Sequence, residues 1–146
     1  MEPQISAEVK KNKVKLDFKE SKYATGRRKE SIAKVWTKKG SGNFHVNGKK
    51  MDEYFHKQNL QTAILRPLTI TKRENEYDVR CSVKGGGLTG QAGAIIHGLA
   101  RTLVLYEPDL KSTLKKENLT TRDSRTVERK KYGRRKARRS FQFSKR

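Results

Sequence analysis

The chain has 146 residues, which suits one domain with appendages, and it carries 36 Lys and Arg against 15 Asp and Glu, a formal net charge of +21. Apolar residues make up 32% and charged residues 35%, against about 45–50% and 25% in an ordinary soluble domain. That balance excludes a core running the full length, calls for a polyanionic partner, and comes with no basic amphipathic helix or long apolar run that would suit a membrane.

Residues 1–21 are polar and Lys-rich, with Val9, Val14, Leu16 and Phe18 too scattered to force structure, so a flexible extension is expected, with a strand near Val14–Phe18. The acids Glu2, Glu8, Asp17 and Glu20 and the lack of an apolar stretch argue against a signal peptide and against organelle import. A cytoplasmic protein is the expectation. Tyr23-Ala-Thr-Gly-Arg-Arg-Lys29 follows, with Gly26 as punctuation before three cations. Ser31–Lys38 and Asn43–Val46 are β-like runs, and Lys39-Gly-Ser-Gly42 between them reads as a hairpin loop. Asn47-Gly48 is a second turn signal.

The period changes over Met51–Leu68. Asp52 is expected to cap a short helical turn carrying Tyr54 and Phe55, and Asn59 to cap a helix whose Leu60, Ala63 and Ile64 share a face and which Pro67 ends. Tyr77, Val79, Cys81 and Val83 alternate with Asp78, Arg80, Ser82 and Lys84, the cleanest strand pattern in the chain. Cys81, the single cysteine, is read as a buried small hydrophobe, with no disulfide framework and no metal-ligand spacing around it. From Leu88 an apolar stripe through Ala92, Ile95, Ile96, Leu99 and Leu103 predicts a long helix ending near Tyr106, and a short basic helix is expected over 110–118. The elements make an α/β body of the α+β kind, with one sheet packed against helices.

Lys84-Gly-Gly-Gly-Leu-Thr-Gly-Gln91 joins the best strand to the best helix. Gly85, Gly86 and Gly87 let the backbone turn sharply and leave the amides at the helix start open to a phosphate. Gly85, Gly87 and Gly90 also satisfy the dinucleotide spacing G-x-G-x-x-G, but no acidic strand end follows about twenty residues on. A nucleotide-triphosphate loop is missing its Lys and Ser/Thr, because Gln91 and Ala92 hold those places. A turn without a ligand remains an alternative. Gly93 and Gly98 inside the helix each cost about 1 kcal/mol relative to alanine, so another backbone, from protein or RNA, is expected close by. His97 is read as a packing or capping residue without a catalytic role.

Arg122–Arg146 holds 12 Lys or Arg against Asp123 and Glu128, a net +10, and almost no apolar periodicity. Such a segment repels itself, should gain order only on a dense array of phosphates, and so points to RNA. Leu119–Arg146, fully extended, spans roughly 90 Å. No paired carboxylates, nucleophile–base set or metal cluster supports an enzyme.

The Tyr23–Lys29 motif, Val83-Lys-Gly-Gly-Gly-Leu-Thr-Gly-Gln-Ala-Gly-Ala-Ile95, the basic run from Thr121 to Arg139 and the terminal Gln142-Phe-Ser-Lys-Arg146 resemble the ninth protein of the small ribosomal subunit, in its bacterial form, from about Tyr23 to the last residue. Phe141, where proline is common, and Ile96, where a basic residue is common, depart from that pattern. The resemblance implies a small four-stranded sheet packed with helices, like the second domain of ribosomal protein five, plus a long basic C-terminal tail. It divides the chain into an extension (1–22), an rRNA-binding body (23–118) and the tail (119–146). It implies a structural protein without cofactor or metal. Its partners would be small-subunit rRNA, tRNA in the peptidyl site and neighbouring proteins of the subunit head, with no membrane. Candidate rRNA contacts in the body are Arg27, Arg28, Lys29, Lys84, Gly85, Gly86 and Gly87. In the tail they are Arg122, Arg125, Arg129, Lys130, Lys131, Arg134, Arg135, Lys136, Arg138 and Arg139. Ser144, Lys145 and Arg146 are the expected tRNA-facing residues.

Overall fold

The computed structural model describes residues 19–145, so the expected strand near Val14–Phe18, nearly all of the 1–22 extension and Arg146 lie outside it. In chain order it forms β1 (Lys22–Arg28), β2 (Ser31–Lys39), β3 (Phe44–Val46), β4 (Lys49–Lys50), α1 (Met51–Tyr54), α2 (Gln58–Thr71), β5 (Tyr77–Lys84), α3 (Leu88–Tyr106) and α4 (Leu110–Lys116). The strands make one mixed sheet in the order β1-β2-β5-β3-β4. This is the expected α+β architecture, with the two-residue β4 as a fifth strand.

Alternation decides which face of the sheet is covered. Ala33, Val35 and Thr37 of β2 and Tyr77, Val79, Cys81 and Val83 of β5 are buried, while Lys34, Arg80 and Lys84 between them are exposed. The helices pack on the buried face. Ala92, Ile95, Leu99 and Leu103 of α3 lie at its centre, joined by Ile64 and Leu68 of α2 and Leu114 of α4. A Thr37 hydroxyl donates to the Thr102 hydroxyl at 2.9 Å, which donates in turn to the Leu99 carbonyl at 2.8 Å, so the polar pair inside this core is satisfied. Cys81 sits in the same core, and burial pushes its thiol pKa far up.

Four local expectations are corrected. Residues 39–42 do not form a hairpin loop, because β2 runs antiparallel to β5 on one side and β3 parallel to β5 on the other. The loop instead steps across the end of β5, held by Asp78, whose carboxylate accepts the Ser41 N–H at 3.0 Å and the Asn43 N–H at 2.8 Å. The segment around Gly26 is continuous strand, paired with β2 from Lys22↔Thr37 to Arg28↔Ser31. Pro67 does not end its helix: α2 continues to Thr71 and stops at Lys72, whose φ of 55° turns the chain left-handed. Pro67 is fully buried, and that packing offsets its missing N–H. Asp52 and Asn59 are not caps, since Lys50 and Lys57 hold those positions without a side-chain bond.

The Asn47-Gly48 signal does mark a turn. Both residues have positive φ (50° and 82°) and link β3 to β4 as a two-residue turn. The Asn47 side chain accepts the Val83 N–H and donates to the Val83 carbonyl, tying this turn to β5.

Candidate nucleic-acid interface

Two tight connections meet at one end of the sheet. The β1–β2 turn places Lys29 at φ 50°, and the β5–α3 junction runs through Gly85 (φ 75°) and Gly86 (φ 59°). Both glycines face this turn. A methyl on Gly85 would lie 2.5 Å from the Glu30 carbonyl oxygen, and one on Gly86 would lie 2.2 Å from the Ser31 hydroxyl. The Ser31 hydroxyl donates to the Gly85 carbonyl at 3.0 Å, and the Gln91 amide donates to the same oxygen at 3.1 Å. Gly87 differs: it precedes α3 with an extended backbone, and a methyl there would meet nothing within 4 Å. Its free surface leaves the start of the 19-residue α3 approachable by an anion.

The sequence candidates of the body therefore converge. Arg27, Arg28 and Lys29 end β1 and enter the turn, Lys84 ends β5 beside it, and Gly85, Gly86 and Gly87 bridge to α3. Arg28 crosses the helix at Gly93, where a methyl would lie 2.2 Å from its Cδ. Gly98 is close to a different partner, Val35 of β2 and the Gly26 backbone. Gly98 thus meets the expected second backbone, whereas Gly93 meets a side chain.

The chain leaving α4 returns to this end. Leu119 is buried in the core, and the Arg28 guanidinium lies 3.5 Å from the Asp123 carboxylate. A cavity of about 310 Å³ remains between them, lined by Arg27, Arg28, Arg66 of α2, His97 of α3 and Asp123, among others. Arg66 pairs with Glu117 at 2.6 Å. The Arg125 guanidinium donates to Asp123 through Nε and Nη2, its backbone N–H donates as well, and, with Arg28 adding charge, they hold the carboxyl well below the usual carboxylate range. His97 accepts the Arg27 N–H at Nδ1, 3.3 Å away. Burial, then the Arg101 charge, lowers its pKa, so it is a neutral packing residue here.

Residues 120–145 contain no helix or strand. Glu128 accepts from Lys131 and Arg138, the Arg134 N–H donates to the Lys131 carbonyl across a turn at Gly133, and the Arg135 N–H donates to the Arg139 carbonyl. Arg122, Arg129, Lys130, Arg134, Lys136 and the terminal Ser144 and Lys145 are exposed or nearly so, and the side chains of this segment stay clear of the sheet beyond Asp123. Sequence reasoning missed Arg66 and Asp123 as members of the site. Their positions depend on contacts far apart in the chain, and only the i,i+2 spacing of Asp123 and Arg125 carried a local sign.

The dinucleotide reading fails on topology. It requires a parallel strand after α3, yet α3 leads to α4, and β5 has antiparallel β2 and the preceding strand β3 as neighbours. A cation-rich end built from a glycine junction and a returning basic segment fits nucleic acid instead. Among known protein families, the one described as Ribosomal protein S9/S16 matches residues 26–146, so the chain belongs to the S9/S16 family of ribosomal proteins, structural RNA-binding constituents of the small ribosomal subunit.

Proposed function

We propose that the chain anchors in the head of the small subunit through the end of the sheet described above and reaches tRNA in the peptidyl site with its last residues. The observation that carries this reading is the convergence of the Arg27–Lys29 turn, Lys84 with the Gly85–Gly87 junction, and the returning Arg122–Arg125 segment at one place. Arg28, Lys29 and Lys84 meet phosphates of folded rRNA, and the open amides around Gly87 accept another. The charge of the tail adds strength without sequence preference, so the body's shape supplies the selectivity. Residues 1–22, 23–118 and 119–146 act as extension, body and tail, and neighbouring head proteins complete the seat.

From that anchor, Arg129, Lys130, Lys131, Arg134, Arg135, Lys136, Arg138 and Arg139 line a path of phosphates. Ser144, Lys145 and Arg146 then touch the tRNA backbone. Contact through the backbone is indifferent to the anticodon, as a site passed by every tRNA requires. The test is a chain lacking residues 144–146, assembled into small subunits. Subunits should form normally, while peptidyl-site tRNA dissociates faster and frameshifting rises. Equal tRNA retention and equal framing in intact and truncated subunits would refute the tRNA contact.

A further inference from the structure

On the sheet face turned away from the helices, Tyr23, Lys34, Arg80 and Lys84 are exposed while Trp36 and His45 are half-buried. Partners across a sheet share a face, and the register sets Tyr23 opposite Trp36, Trp36 opposite Arg80 and Arg80 opposite His45, a single row across four strands. The Tyr23 and Trp36 rings lie with centroids 5.3 Å apart and 37° between planes, and the Arg80 guanidinium lies 5.9 Å from the Trp36 ring. Tyr23 is 45% exposed, and Ile32, two rows along on the same face, is 43% exposed. An exposed tyrosine beside a half-buried tryptophan is an unusual use of an outer sheet face, which is ordinarily polar.

The charges beside this row are positive except for Asp78. Arg27, Lys34, Arg80 and Lys84 are exposed on it, and Asp78 is the one acid in the five strands. Asp78 is already engaged by the N–H groups of Ser41 and Asn43. An acidic peptide would answer the cations but not the two adjoining rings. A duplex would answer the cations with phosphates, but its bases are already stacked on one another. A single strand answers both, because each unpaired base offers a π face and each link a phosphate.

We infer that this outer sheet face is a stacking platform for an unpaired stretch of RNA, with bases against Tyr23 and Trp36 and phosphates on the flanking cations. The inference rests on the reading of the chain as an RNA-binding protein, and it extends from the glycine-junction end, with which it shares Arg27 and Lys84, onto the outer sheet face.

Trp36 is the only tryptophan in the chain, so its fluorescence reports this surface alone. The full-length chain is titrated with a labelled single-stranded RNA of roughly 12 nucleotides, within the usual site size, and with a duplex of equal length. Fluorescence anisotropy of the label reads binding, and Trp36 emission reads stacking. The single strand should quench Trp36 strongly at saturation, and the duplex should bind with little quenching. Tyr23→Leu, which keeps the reporter, and Trp36→Leu should each weaken single-strand binding about 5-fold or more, the scale of one lost base stack. Duplex binding should change less than about 2-fold, and circular dichroism of both variants checks the fold. Binding of both RNAs without Trp36 quenching, or variants that bind the single strand like the parent chain, would overturn the platform and leave this face to a protein neighbour. If neither RNA shifts the anisotropy, it is RNA binding itself that fails.

Discussion

Of the glycines, Gly26 sits in the tightest surroundings. A methyl there would lie 1.9 Å from the Ala94 carbonyl oxygen and 2.4 Å from the Gly98 nitrogen, so the backbones of β1 and α3 touch. Gly26→Ala must push the helix off the sheet and should cost at least about 3 kcal/mol, at the upper end for overpacking, measured by urea unfolding. Gly87→Ala, with an extended backbone and open space, should leave stability within about 0.5 kcal/mol. If Gly26→Ala unfolds at the parent midpoint, the close approach is wrong. A second residue-scale effect is electrostatic. His97 has a folded pKa below its usual value because of burial and Arg101, so the unfolded chain takes up a proton first as pH falls. Its contribution is fully present above about pH 6.5, and is lost as pH drops through the window between that value and the folded pKa. The urea midpoint should therefore fall from pH 7 to pH 5, and His97→Gln should flatten that part of the fall. Identical pH profiles in the two chains would rule out this role. Part of this was legible beforehand: glycine inside a helix signals close packing on cost alone, so Gly93 and Gly98 stood out. Their partners Arg28 and Gly26, some seventy residues away, did not.

At the scale of elements, periodicity was a better guide than punctuation. The alternation of Tyr77–Lys84 and the stripe of Leu88–Tyr106 gave β5 and α3 with their buried faces, apart from Leu88, which is exposed at the start of α3, because each depends only on which side meets the core. Two beginnings and one end were misread. Capping residues at 52 and 59 competed with burial of Met51 and Ile64, and burial decided where the turns began. Pro67 was outweighed in the same way. The Lys39–Gly42 loop carried every local sign of a hairpin, yet β5, which comes later in the chain, inserts between its two arms. What holds the loop open is Asp78. Burial alone would raise its pKa, but hydrogen bonds from the Asn43 and Ser41 backbones outweigh that, and the net shift is downward. Asp78→Ala removes the acceptor for two N–H groups and should cost about 1–2 kcal/mol, comparable to losing a helix cap. Asp78→Asn should recover part of it. Unchanged unfolding in Asp78→Ala would mean that the crossing is held by the strands alone.

Across the whole molecule, charge and folding are separated along the chain. The side-chain hydrogen bonds and ion pairs of Arg125–Lys145 stay within residues 123–145, whereas Leu119 is buried and Asp123 reaches Arg28. A chain ending at Ser124 keeps both of those contacts but loses eleven Lys or Arg and one acid. Its urea midpoint should match that of the full chain. Its RNA binding should not. Each phosphate neutralised releases counterions and steepens the dependence of log K on log salt by about 0.9 on duplex-like RNA or about 0.7 on single strands. Ten or so tail contacts thus account for a slope of roughly −9 or −7, and removing them should leave only the shallow slope of the body. Anisotropy of a labelled rRNA fragment between about 0.05 and 0.3 M KCl measures both slopes. A truncated chain with the full slope would place the phosphate contacts in the body, where Arg27, Arg28, Lys29 and Lys84 would be too few to supply them. A truncated chain that also unfolds early would show instead that the basic segment is part of the fold.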